Sequence, residues 1–164
     1  MTTESTSSGS TRTQEAVRQL LYTASRHLDA GEYEQWIGLF TSNGRYRAMS
    51  VDNAEMNSPL TIIDDRVETM HDRGEMIDKY WSIEPTRTKH VVSNIEIDFD
   101  GDAAADVHSV FVVFVSEISD GRVEIQAMGR YQDRVRDVDG EWRFEDRVAV
   151  YDNALLTHPV SLPL

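Results

Sequence analysis

Between Gln14 and Asp29 the apolar residues Val17, Leu20, Leu21, Ala24 and Leu28 recur every three or four positions, the spacing that places them on one side of an α-helix. Thr11 and Gln14 stand ahead of that stripe at capping-box spacing, so the pattern predicts a first helix over about Thr13–Asp29. Gly31 interrupts it. Tyr33, Trp36, Ile37, Leu39 and Phe40 then crowd into a short second helix whose aromatic side must be buried. Asn43-Gly44 reads as a turn, Tyr46–Val51 as a short strand and Asp52–Pro59 as a loop. A helix over about Thr61–Asp72 follows, its acidic stretch opened by Asp64 and Asp65 and favoured there by the helix dipole.

From Arg87 onward the period drops to two, with Val91, Ile95, Ile97 and Phe99 facing one way and His90, Asn94, Glu96 and Asp98 the other. Asp100-Gly101 ends this strand. Three more runs, Ala103–Ser116, Val123–Arg136 and Glu141–Tyr151, are separated by Asp120-Gly121 and Asp139-Gly140, dipeptides favoured in tight hairpins, so the C-terminal half reads as an antiparallel meander. Such strands exceed the usual length of about five or six residues, so the sheet should coil, with bulges near Gly129. Val123, Ile125, Ala127, Gly129 and Tyr131 supply an apolar face opposite Arg122, Glu124, Gln126, Arg130 and Arg134, so only one sheet face calls for helices. The expected class is α+β, a curved antiparallel sheet with N-terminal helices packed on one face. Residues 1–12 are expected as a disordered Ser/Thr-rich tail and 13–164 as a single cone-shaped domain.

Charge narrows the choice of partners. With 16 Lys and Arg against 29 Asp and Glu, the formal net charge of −13 repels phosphate backbones and anionic lipid, so neither nucleic acid nor membrane is an expected partner. No apolar run approaches the roughly 20 residues of a membrane span, and the first residues lack the basic start and apolar stretch of a secretory signal, so a cytoplasmic location is expected. The absence of cysteine excludes thiolate catalysis, cysteine zinc sites and cysteine-ligated iron–sulfur clusters in this chain.

The histidines are His27, His71, His90, His108 and His158, and no pair has the HxxxH or HExxH spacing that gathers imidazoles on one metal. GxSxG, Walker and GxGxxG motifs are also absent. No catalytic, cofactor-binding or metal residue is therefore assigned. A cone-shaped sheet can nevertheless enclose a pocket in which a desolvated carboxyl or a histidine moves a proton, and Tyr46, Asp65, His90 and His108 are the candidates. Such a reading makes the chain a stand-alone isomerase or dehydratase using Asp65 and His90; a ligand-binding cone without catalysis is a third possibility. Arg122, Arg130, Arg134, Arg136, Arg143 and Arg147 alternate with Glu124, Asp133, Glu141, Glu145 and Asp146, and cross-strand ion pairing accounts for the set.

The run Arg87-Thr-Lys-His-Val-Val-Ser-Asn-Ile-Glu-Ile97 resembles a strand of the small (beta) subunits of bacterial aromatic-ring-hydroxylating dioxygenases, the Rieske non-heme iron oxygenases. Further matches follow in order: Leu28-Asp29, Trp36 with Leu39-Phe40, Tyr46-Arg47, Asp133-Arg134, Trp142-Arg143, and Tyr151-Asp152-Asn153 through Leu164. Val51-Asp52-Asn53 and Leu162-Pro163-Leu164 look more like the terephthalate type than the biphenyl or naphthalene type. The resemblance covers about Gln14–Leu164, and it departs at Lys89, where many relatives carry Arg.

The resemblance implies a nuclear-transport-factor-2-like cone that supports a large (alpha) subunit, in an assembly of three large and three small chains. That large subunit carries a [2Fe–2S] Rieske cluster and a mononuclear Fe(II), receives electrons from NAD(P)H through a reductase or ferredoxin, and dihydroxylates an aromatic acid. This chain is then the structural, non-catalytic subunit of the complex. Its expected subunit-interface residues are Arg87, Lys89 and His90, together with Leu155, Leu156, Val160, Leu162 and Leu164 of an apolar tail that two prolines keep from forming a regular helix.

Overall fold

The computed structural model describes residues 5–80, 86–154, 156 and 163–164, with side chains described from residue 13 onward and not for residues 78–80. Helix α1 (Ser5–Ala30) buries Val17, Leu20, Leu21, Ala24 and Leu28, the stripe expected from the sequence. Its backbone starts before Thr13, reaching back into the segment read as a tail. Once a helix is nucleated each further residue adds a hydrogen bond, so a strong stripe can extend helix into poor helix-forming sequence.

Helix α2 (Tyr33–Ile37) stops earlier than expected, and Phe40 opens strand β1 (Phe40–Ser50). Asn43-Gly44 is not a chain-reversing turn but lies where the register slips between Phe40 and Arg45 against strand β6 (Glu141–Tyr151). Ser50 accepts a hydrogen bond from Asn53 N and so caps a short helix, α3 (Val51–Glu55), within the expected loop.

The largest departure in this half involves Asp64 and Asp65. They lie not in a helix but in strand β2 (Ile63–Arg66), which pairs with β1 through Asp64↔Arg47 and Asp65↔Tyr46. Helix α4 (Val67–Tyr80) begins only afterwards, where Thr69 Oγ1 both accepts from Arg66 N and donates to Arg66 O. Local helical preference yielded to pairing with a sheet edge.

Strands β3 (Thr86–Phe99), β4 (Ala104–Glu117), β5 (Val123–Val138) and β6 form the expected meander. The six-stranded sheet has the order β2-β1-β6-β5-β4-β3, so β2 and β3 are its two edges. All neighbours run antiparallel except β1 and β6, which are parallel. The apolar side chains of α1, α2 and α4 meet the inner face of the sheet in one core.

Three one-residue bulges set which side chains look inward. They occur at Ser93–Glu96 against β4, at Gln126 between β4 and β5, and at Glu145 between β5 and β6. Each extra residue reverses the alternation beyond it. Val91 is therefore 49% exposed on the outer face, while His90 and Val92 turn inward; Asn94, at φ 51°, marks the reversal. In the same way Val123 and Ile125 face outward and Ala127, Gly129 and Tyr131 inward. Gly129 is not a bulge; it lies between two of them, where the backbones of β5 and β6 approach closely. Beyond Glu145, Val148 and Val150 point outward and join Met49 beneath Val51 and Ala54, so the outer face has a small covered cluster of its own.

Candidate functional site

Two adjacent rows of side chains run across the inner face. Tyr46, Arg147, Asp133 and Val107 are register partners on β1, β6, β5 and β4, and Ala48, Ala149, Tyr131 and Ser109 form the next row. A buried ion pair thus sits at the centre of the cone. Arg147 NH1 lies 3.7 Å from Asp133 Oδ2, too far for a good hydrogen bond, and neither oxygen of Asp133 has a hydrogen-bond partner. The guanidinium is held instead by aromatic faces, with its Cζ 3.9 Å from the Tyr131 ring centroid and 4.5 Å from that of Phe144. Phe111 stacks on Tyr131 at 4.4 Å.

The electrostatics of this pair are lopsided. Burial pushes the Asp133 carboxyl up to about 7, against the opposing pull of Arg147. Burial alone would lower the Arg147 guanidinium, but Asp133, Tyr131 and Tyr46 together hold it above its ordinary value. The arginine stays charged, and the carboxyl takes a proton near neutrality. Such a carboxyl has the proton affinity of a general acid, yet its side chain has no accessible surface, so no substrate touches it here. The sequence placed Asp133 and Arg147 among residues that pair across strands. The burial of Arg147 follows from the bulge at Glu145, which no residue type announces, whereas Asp133 alternates inward with Tyr131 and Val135 on β5. The rest of that set is exposed or half-buried, as in Arg136 with Glu145 at 2.9 Å.

The four proton-carrier candidates are not brought together. Tyr46 is buried and fully engaged: its hydroxyl accepts from Leu164 N at 2.8 Å and donates to Leu164 O at 3.2 Å, and burial raises its pKa well above the tyrosine range. Asp65 is buried on β2 and paired with Arg73 Nε, beside an apolar cavity of only about 10 Å³ that Pro163 helps to line. That is room for at most about one water. His108 is exposed on the outer face of β4. His90 lies on β3, at the opposite sheet edge from Asp65, with four strands between them.

At that opposite edge His90 and Asp29 form a tight unit. Asp29 Oδ1 lies 2.7 Å from His90 Nδ1 and accepts from His90 N at 2.9 Å. An ionised carboxylate only accepts, so the ring proton sits on Nδ1 and Nε2 looks away from Asp29. Nε2 is buried and has no hydrogen-bond partner. A groove of about 490 Å³ opens beside the pair, lined by Tyr22, Ser25, Arg26 and Asp29 of α1 and by Lys89, His90 and Val92 of β3. Two sequence matches far apart in the chain, Leu28-Asp29 and the run from Arg87, thus converge on one structural feature.

Among the described residues no three of His, Asp or Glu converge on a point that could hold a metal ion. With no cysteine in the sequence either, the residues here do not fit a Rieske cluster or a mononuclear iron. Nor is any described helix long and apolar enough to cross a membrane.

The model of the SnoaL-like domain matches residues 10–148, most of the chain. The chain belongs to the SnoaL-like domain family. A helix-backed, unclosed curved sheet is the fold of this family, in agreement with the α+β cone of the nuclear-transport-factor-2 kind expected from the sequence.

Proteins similar to this SnoaL-like chain include subunits of ring-hydroxylating dioxygenases. The beta 1 subunit of the terminal oxygenase component of terephthalate 1,2-dioxygenase from Comamonas sp is 29% identical over 138 residues, which cover 84% of this chain and 89% of that one. The small subunit of anthranilate 1,2-dioxygenase from Burkholderia cepacia is 25% identical, covering 84% and 86%. A crystal structure from Novosphingobium aromaticivorans, described as the beta subunit of an aromatic-ring-hydroxylating dioxygenase, shares the fold at TM-score 0.84 and 22% identity, covering 94% of this chain and 99% of that one. The resemblance to ring-hydroxylating small subunits is borne out by these relatives.

The expected interface residues are scattered in this SnoaL-like domain. Arg87, Lys89 and His90 lie on the β3 edge. Leu164 is 2% exposed within its own chain, and Leu156 packs partly buried against the same core. Both therefore fold back onto the cone that carries them. Leu155, Val160 and Leu162 lie outside the described residues.

Proposed function

We propose that this chain is the small, structural subunit of an aromatic-ring-hydroxylating dioxygenase. The observation that carries this reading is the match to the terephthalate dioxygenase subunit along 84% of the chain. The geometry agrees with a supporting role, because the candidate acids and bases lie at separate places, with Tyr46, Asp65 and His90 held in internal hydrogen bonds. In this reading a large subunit carries the Rieske cluster and mononuclear iron, takes electrons that originate in NAD(P)H, and dihydroxylates an aromatic acid. The assembly contains three large and three small chains, and the β3 edge with Arg87, Lys89 and His90 belongs to the contact between them.

The rival isomerase or dehydratase needs Asp65 and His90 to act on one substrate, and their positions on opposite edge strands speak against it. Substituting Asp65→Asn tests the two readings on the assembled complex. A general acid or base contributes about 10²–10⁴-fold to rate, whereas the supporting role predicts at most a several-fold change in turnover per assembled complex. A loss of about a thousandfold with assembly and iron content intact would establish a catalytic cone instead.

A further inference from the structure

The outer face of β3, β4 and β5 carries an apolar patch that stays open to solvent. Its central row is Val91, Val112 and Met128, register partners on the three strands, with Phe114 and Ile125 in the row before it and Val110 in the row after. Val91, Val110, Ile125 and Met128 are 49%, 40%, 45% and 47% exposed, and Val112 and Phe114 are half-buried. Contiguous apolar surface of this kind marks a contact site, whereas singly scattered apolar residues do not. The charges around the patch are sorted along the strands. Arg87 stands two rows from the centre at one end of β3, and Glu96 two rows from it at the other, turned outward by the bulge at Ser93–Glu96. Both are exposed, and neither has an ion-pair partner among the described residues. Nine positions of extended strand separate them by about 25–30 Å, too far to pair within one chain.

We infer that the chain pairs with a second copy of itself through this face, about a two-fold axis that runs along the central row. In that arrangement β3 lies antiparallel on β3, β4 on β4 and β5 on β5, and each residue faces the one equally far beyond the axis. Val91, Val112 and Met128 meet their own counterparts, Phe114 meets Val110, and Ile125 meets the aliphatic stem of Arg130. Arg87 of each copy faces Glu96 of the other, so two ion pairs close the ends of the patch. Lys89 faces Ser93, and no row sets like charges opposite one another. Five rows on three strands span about 30 Å by about 14 Å, the small end of specific interfaces, so the pair is held at micromolar strength. The inference goes beyond the proposed function and concerns the chain on its own. Arg87 and Lys89 also belong to the contact proposed for the assembly, so the pair is the form the chain takes before a large subunit claims that surface.

Sedimentation equilibrium of the isolated full chain tests this, at about 0.15 M salt, where repulsion between two acidic chains is largely screened. Over about 1–200 µM, a range that brackets the expected strength, the wild type should pass from one chain per particle to two. Arg87→Glu and Glu96→Arg should each weaken pairing about tenfold, because each change sets like charges opposite at both ends of the patch. Glu96→Arg is the sharper of the two, since it lowers the net negative charge and by overall repulsion alone would strengthen pairing. The double variant Arg87→Glu/Glu96→Arg restores opposite charges across the axis and should return to within about threefold of the wild type. Recovery of that kind cannot arise inside one chain, where the two residues are out of reach. Both positions are exposed, so all three variants are expected to melt like the wild type. A wild type that stays a single chain throughout the range, a particle of three chains, or a double variant as weak as its two single changes combined overturns the inference and leaves the proposed function standing.

Discussion

Arg147→Met is expected to destabilise the chain by about 3–5 kcal/mol, the cost of leaving one member of a buried ion pair alone. Arg147 is 2% exposed at the centre of the inner face, and its guanidinium is the one cation facing Asp133 in that row. Removing it also takes away the contacts with the Tyr131 and Phe144 rings. A double variant, Arg147→Met/Asp133→Leu, should recover most of the loss, because apolar groups of similar volume remove the stranded charge. Guanidinium denaturation of the isolated chain measures both, and a loss under about 1 kcal/mol for Arg147→Met contradicts a central role for the pair.

The pH dependence follows from the same residue. Asp133 is raised from 3.8 to about 7, so between those values the folded chain keeps a proton that the unfolded chain releases. Its contribution to stability is therefore fully present below pH about 4 and is lost as pH rises through about 7. In Arg147→Met the carboxyl loses its attracting cation, and that decline should extend to higher pH.

Gly129→Ala is the second change expected to have a large effect, at about 3 kcal/mol, the upper end of ordinary overpacking costs. A Cβ on residue 129 would stand 2.0 Å from Val150 O and 2.9 Å from Tyr151 Cα. Both are backbone atoms of the neighbouring strand, so no side-chain rotation relieves the clash, and β5 must move away from β6. That movement pulls on Tyr131, Asp133 and Arg147 in the adjoining rows. A thermal melt of the variant that overlays the wild type would contradict the close approach of the two strands.

Much of the fold was legible in the chain, and what was missed has physical causes. Val17, Leu20, Leu21, Ala24 and Leu28 announce α1, and three Asp-Gly pairs mark the ends of the strands that form the meander. What period-two reading cannot see is a single-residue bulge. Asn94, Gln126 and Glu145 each reverse the phase of a strand, and their positions depend on the partner strand as much as on their own sequence. Val91, Val123 and Ile125 were therefore assigned to the wrong face, and the burial of Arg147 was not read from the sequence. Asp65 was misplaced because a four-residue edge strand carries too little pattern to outweigh an acidic helix-like stretch. The Asp29–His90 unit was half legible. Both residues stood in recognised matches, but nothing in the sequence says that positions 61 apart in the chain share a hydrogen bond.

The most direct test of the supporting role is to purify the chain under mild conditions from its native host and assay each component for iron and acid-labile sulfide. The account predicts a brown complex in which both belong to a separate large subunit, while this chain, once separated, is colourless and turns over no aromatic acid when supplied with a reductase. Stoichiometric iron in the separated chain, or turnover of any substrate by it alone, would contradict that role.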